Sequence, residues 1–167
     1  MKLKQIRDDT RGATLVEFTF TFPFFLLLMF GLVQAGLLLY TQNGLQHGVE
    51  VAARCASVNY SANQLGLNTS CLTDPTSGVP TPSTVVGNTT YIQQYAAQNS
   101  WGIVPPYSNF NVYCPKNSGT TGCATSNNTC GTNPGYTVTV QHSYNLIHYL
   151  SIFSITLTAT SCFPTVN

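Results

Sequence analysis

Arg11-Gly12-Ala13-Thr14-Leu15-Val16-Glu17-Phe18, running directly into residues 19–40, is the stretch on which the fold turns. A single acid, Glu17, stands at the start of an apolar run that includes Phe22, Phe24, Phe25, Leu26, Leu27 and Leu28, and the next formal charge is Glu50. A helix crosses a bilayer with about 20 apolar residues, so residues 19–40 have the length and composition of a membrane span. An ionised carboxylate near the centre of such a helix costs about 2.5–3.5 kcal/mol on insertion scales, which makes an intramembrane acid a functional residue in need of a partner. A cut after Gly12 would supply one: Ala13 would carry a free ammonium four residues before Glu17, and a neighbouring copy or homologue would offer the same group. The competing reading places Glu17 in the headgroup layer, solvated.

Orientation follows from the flanks. Lys2, Lys4, Arg7 and Arg11 precede the run, and Asp8 and Asp9 count little against them. The positive-inside rule puts the N-terminus in the cytoplasm and everything after about Tyr40 outside. A cleaved signal peptide would have a shorter apolar region, about 7–15 residues, and a small-residue cleavage site.

Net charge is +1 and only 7% of the residues are charged, which excludes the basic stripe a nucleic-acid partner requires. Beyond Arg54 the only formal charges are Asp74 and Lys116. The six cysteines, Cys55, Cys71, Cys114, Cys123, Cys130 and Cys162, all fall on the exported side, where disulfides persist. No Cys-x-x-Cys pair occurs, which argues against structural zinc. Six cysteines allow about 15 connectivities, but three of them lie within residues 114–130, so full oxidation sends at least one bridge out of that segment to staple it to the body of the domain. Free buried thiols are the alternative.

Downstream of the span, Leu38, Leu45, Val49, Ala52 and Ala56 recur at helical spacing, with Gln46, His47, Glu50 and Arg54 turned away. This pattern predicts that the helix continues to about Ser57, roughly 65 Å from Ala13, with its distal half as the spine of an outer domain. Pro23 is expected to kink or loosen the membrane half, and Gly31 and Ala35 offer a small-residue face to a neighbouring helix. Residues 59–87 read as loop. Residues 89–99 read as a short helix ended by Gly102 and Pro105-Pro106. Three period-two patterns follow, led by Phe110, Val112 and Cys114, by Tyr136, Val138, Val140, His142 and Tyr144, and by Phe153, Ile155, Leu157 and Ala159. They predict a half-buried antiparallel sheet, covered by the helix stripe around Val138 and Ile155. The fold class is therefore α+β, with residues 1–12 as cytoplasmic leader, 13–57 as the long helix (spanning to about residue 40) and 58–167 as one small exported domain. The loop at 114–135 is long for a hairpin connection.

A basic leader ending in Gly, four residues, Glu-Phe and an apolar helix form the processing pattern of type IV pilin-like proteins. The fuller string, Arg11-Gly12-Ala13 with Val16-Glu17-Phe18, Pro23, Gly31 and the Ala52-Ala53-Arg54 segment, resembles the TadE-like pseudopilins of tight-adherence (Flp) pili. The resemblance covers roughly the first third of the chain and, more loosely, its last thirty residues. The chain departs from the family's pattern at Gln34, where an acid is common, in its Thr-rich helix start and in its cysteine-bearing loop. The resemblance implies a pilin-like fold and cleavage by a prepilin peptidase between Gly12 and Ala13. It also implies an assembly role for Glu17 and Phe18, residence in the bacterial inner membrane with a periplasmic or extracellular domain, and partners among other pilin-like subunits and the pilus assembly machinery.

Nothing in the chain points to catalysis. Glu50 and Asp74 are the only acids on the exported side, too far apart in sequence to suggest a glycosidase pair. A Cys–His nucleophile would need a reduced, activated thiol, and phosphate-loop, dinucleotide and zinc-protease motifs are absent. The expectation is a non-enzymatic pseudopilin or minor pilin with no cofactor or metal. The alternative is a membrane-anchored exported adhesin or binding protein that stays outside any pilus and uses residues 114–135 as its contact loop.

Overall fold

A computed structural model describes residues 10–64, 88–116, 118–125, 127–147 and 150–165, with side chains for all of these except 10–13, 62–64, 146, 147 and 150–153. The chain divides after Leu37 into two units. One helix, α1 (Thr10–Gln64), supplies the described part of the first unit and enters the second.

Within the first unit α1 is continuous through Pro23. Proline has no N–H to give to the carbonyl four residues earlier, so Thr19 loses that bond; its own hydroxyl turns back to donate to the Leu15 carbonyl at 2.7 Å. The rings of Phe18 and Phe22, one turn apart, stack with centroids 5.2 Å apart.

In the second unit α1 is followed by α2 (Thr89–Gln98). A 3-10 turn at Tyr107–Asn109 leads into strands β1 (Phe110–Tyr113), β2 (Thr129–Cys130), β3 (Asn133–Ile147) and β4 (Leu150–Pro164). The Asn88 side chain caps α2 by accepting from the Thr90 N–H at 2.9 Å. Strand β3 is central: β1 and β2 pair with it along one side and β4 along the other, all antiparallel.

Alternation places Phe110 and Val112 of β1, Tyr136, Val138, Val140 and Tyr144 of β3, and Leu157 and Ala159 of β4 on the inner face. There they join Leu45, Val49, Ala52, Ala53 and Ala56 of α1 and Ile92 and Ala96 of α2 in one buried core. The helix stripe thus covers the sheet as its spacing requires, with one correction. Ile155 is 42% exposed although it belongs to the apolar alternation of β4.

Two further differences from the sequence expectation have local causes. The helix runs past Ser57 to Gln64, through residues whose Asn and Ser content gives no helical stripe. Tertiary contacts hold these turns. Ser57 Oγ donates to the Pro164 carbonyl at 2.8 Å, Asn59 is buried, and the Tyr60 ring meets that of Tyr136 edge-on at 6.0 Å. Residues 59–64 of the expected 59–87 loop are therefore helical, and residues 65–87 lie outside the described set. Strands β3 and β4 are also longer than their apolar patterns, and a register shift between Asn145 and Ile147 lies near the tip of their hairpin.

Gln46, expected to face away, reaches the sheet. Its Nε2 donates to the Thr160 carbonyl at 3.2 Å, and Gln42 Nε2 donates to the Thr158 carbonyl at 2.7 Å. Four helical residues rise about 6.0 Å and two strand residues about 6.6 Å. Glutamines at i and i+4 on α1 therefore match carbonyls at i and i+2 on the free side of β4. An unpaired strand edge invites pairing with another chain; here a helix side-chain ladder occupies it.

Candidate membrane and assembly surface

The residues singled out for processing and assembly all lie on α1. Gly12 and Ala13 belong to its first turns, and Glu17 is exposed. Beyond Glu17 and its flanking threonines Thr14, Thr19 and Thr21 the helix is apolar on every side as far as Gly31. Exposure of the large apolar side chains between Leu15 and Tyr40 runs from 43% at Phe22 to 75% at Phe24, and only Leu26 and Leu38 are half-covered. A helix apolar all round belongs in a protein core or a membrane. Each Leu or Phe here gains about 1.5–3 kcal/mol on leaving water. The most apolar 18-residue window has a mean hydropathy of 2.2 and is 0% buried by the rest of the chain. The helix is long and apolar enough to cross a membrane. A Cβ added at Gly31 or Gly36 would meet nothing within 4 Å, so that face is open to a neighbour.

In the second unit the distal part of α1 seats against the segment that ends α2. Gly44 and Gly48, one turn apart, make this possible. A Cβ on Gly44 would strike the Trp101 carbonyl oxygen, and one on Gly48 would strike Ser100 Oγ and come within 2.6 Å of the Ala96 carbonyl oxygen. His47, also expected to be merely exposed, donates from Nδ1 to the Asn99 carbonyl at 3.1 Å and lies against the Trp101 ring at 4.8 Å between centroids. The spacing Gly44-x-x-x-Gly48 was the available sequence signal for this seat, as a small-residue face of the kind found at close helix contacts.

The 114–135 loop is fastened rather than open. Cys114 bonds to Cys123, and Cys130 to Cys162. The second bridge is the staple from loop to domain body that the cysteine count demanded. Cys55 is also disulfide-bonded, and Cys71 lies outside the described residues. Asn128 adds three bonds: its N–H donates to the Cys114 carbonyl at 2.9 Å, and its Nδ2 to the Gly135 carbonyl at 2.8 Å and to Thr137 Oγ1 at 2.7 Å. Tyr136 anchors the loop from beneath, its hydroxyl 2.8 Å from Thr120 Oγ1. Burial raises the pKa of this phenol above 10.0, against the lowering effect of the Thr120 and Ser118 hydrogen bonds, so it stays neutral at physiological pH.

Because the described cysteines are all bonded, none of them offers a thiolate. Among the described residues no group of three or more His, Cys, Asp or Glu is placed to hold a metal ion. His148 lies outside the described set. His142, in β3 opposite Leu157, is half-buried, and burial lowers its pKa below the ordinary 6.5. The unfolded chain then takes up a proton near pH 6.5 that the folded chain accepts only at lower pH. Stability is full above that value and declines as pH falls through the window between the two pKa values. The urea midpoint should drop modestly between about pH 7.5 and pH 5.5, and His142→Gln should flatten that part of the profile.

Residues 12–54 match the family model described as TadE-like protein, the family that the leader and helix resemble. No curated protein and no solved structure gives a significant match to the chain.

Proposed function

We propose that this TadE-like chain is a pseudopilin or minor pilin that acts in the assembly of tight-adherence pili, processed by a prepilin peptidase and working without catalysis. The observation that carries the proposal is that the TadE-like match, residues 12–54, falls on a helix whose apolar surface is uncovered from Leu15 to Tyr40 and which carries one acid, Glu17, near its start. Lipid and the helices of other pilin-like subunits are the occupants such a surface requires. The exported domain then serves as a neutral, disulfide-stapled head on the outer side of the inner membrane or in the pilus.

Processing fits the local structure. The bond between Gly12 and Ala13 lies in the first described turn of α1, and Gly12 weakens that turn by about 1 kcal/mol relative to alanine. A peptidase can unwind it to an extended strand at little cost. After the cut Glu17 follows the new ammonium of Ala13 by four residues, close to the positive end of the helix dipole. Pairing with the ammonium of a matured neighbour would remove the cost of holding the carboxylate in lipid.

Mass measurement on the membrane-extracted protein should find an N-terminus at Ala13, and Gly12→Val should leave the precursor uncut. Glu17→Ala should insert as well as the parent, since a costly charge is gone, yet fail to support piliation or to co-purify with pilin-like subunits. Normal piliation by that variant would return Glu17 to the role of a solvated headgroup-layer residue. An uncut but membrane-bound parent would favour the anchored adhesin instead.

A further inference from the structure

We infer that the exported unit is seated on the outer surface of the bilayer that α1 crosses, through an apolar rim formed by Tyr40, Trp101, Ile103 and Ile155. The inference rests on the membrane-spanning reading of α1. Counted from Phe18, about 20 residues at 1.5 Å each bring the helix through the hydrocarbon to residues 37–38. Tyr40 and Thr41 then fall at the level of the headgroups.

The loop after α2 is pinned to this point. The backbone of Trp101 lies against Gly44, and its ring is 6.5 Å from that of Tyr40. The Ile103 N–H donates to Thr41 Oγ1 at 3.4 Å. Gly102, at φ 87, lets the chain turn so close to Thr41 that a Cβ there would come within 2.6 Å of its hydroxyl oxygen. Gln42 bonds to Thr158 and Gln46 to Thr160, so α1 and β4 run in the same direction, and Ile155 lies toward the Tyr40 end of the helix. Its register partner Tyr144 lines a cleft with Ile103 and His142.

Beyond Tyr40 the large apolar residues left exposed, among those described, are Val58, Trp101, Ile103, Tyr107 and Ile155. Trp101, Ile103 and Ile155 thus gather at the end where the chain leaves the membrane. Trp and Tyr are the residues of membrane–water interfaces, because each has an apolar body and a hydrogen-bonding tip. This end of the domain also has no formal charge near it in sequence: Glu50 is the first after Tyr40, and the segment 88–115 has none. A neutral aromatic rim continuous with a membrane span fits the boundary between phospholipid headgroups and acyl chains. It also explains why Ile155, part of an inward-facing alternation, is left uncovered among the described residues.

Trp101 is the only tryptophan, so intrinsic fluorescence reads the rim directly. The full chain is reconstituted into phosphatidylcholine vesicles, separated by flotation, and compared in lipid brominated near the headgroup end of the acyl chain, in lipid brominated near the chain terminus, and in unbrominated lipid. The expected result is blue-shifted emission that loses most of its intensity with bromine near the headgroup end and less with bromine at the chain terminus. Floating vesicles whose emission is the same in all three lipids would overturn the rim while leaving the span intact. A chain that does not float with the vesicles would overturn both.

Discussion

Ala52→Glu should leave the second unit without a cooperative fold. Ala52 is 0% exposed, in the middle of the stripe Leu45, Val49, Ala52 and Ala56 that closes the sheet. A glutamate there has no cation to meet: the described charges of the second unit are Glu50, Arg54 and Lys116, all exposed. Burying a carboxylate without a partner costs several kcal/mol, or forces it to stay protonated, and the longer side chain overpacks a close helix–sheet contact by about a further 1–3 kcal/mol. A whole domain is stable by only about 5–15 kcal/mol. Limited proteolysis of the membrane-bound variant should therefore degrade the part beyond residue 60, whereas Glu50→Gln, exposed on the same helix, should match the parent. Gln46 would be a poor control, because its amide holds the Thr160 carbonyl. Equal protease resistance of Ala52→Glu and Glu50→Gln would mean that α1 does not cover the sheet at this position.

Gly48→Val should be nearly as damaging, and for a reason that opposes local propensity. Glycine in a helix interior costs about 0.8–1.0 kcal/mol relative to alanine, so propensity alone says that replacing Gly48 stabilises α1. The contact says otherwise: the new Cβ meets Ser100 Oγ and the Ala96 backbone carbonyl. The serine can rotate, but the carbonyl cannot move without shifting the end of α2 and, with it, the Trp101 loop. We expect a loss of about 1–3 kcal/mol or more from overpacking, read as a lower urea midpoint, with a red shift of Trp101 emission as its seat is lost. Gly48→Ala should show the same sign with smaller size. Gly36→Ala, where a Cβ meets nothing within 4 Å, should leave both readouts unchanged. A Gly48→Ala protein more stable than the parent would show that helix propensity outweighs the contact.

What the sequence settled by itself is what short-range chemistry settles. Twenty-odd uncharged apolar residues can be comfortable only out of water, so a helix able to span a membrane was legible from composition. Period-two alternation marked the inner faces of β1 and β3 because each side chain's face is fixed by its neighbours two residues away. The Leu45 to Ala56 stripe announced its face by the same logic at helical period. Three cysteines within residues 114–130 required, on full oxidation, a bridge out of that segment, which Cys130–Cys162 supplies.

Tertiary structure decided whatever depends on which surfaces meet. The choice of Cys162 for Cys130, and of Cys123 for Cys114, follows from the pairing of β3 with β4 and the folding of the loop onto the sheet, which no spacing encodes. The helix continues past Ser57 because Ser57 and Tyr60 find partners on distant strands, although their own propensities are poor. Gln42 and Gln46 look like a solvated face until β4 is set beside them, when the near-equality of two helical and strand repeats turns them into an edge cap. Gly44 and Gly48 read as weak points in a helix and become the seat for Trp101. Ile155 has the pattern of a core residue and remains exposed, because burial requires a partner and none of the described residues covers it.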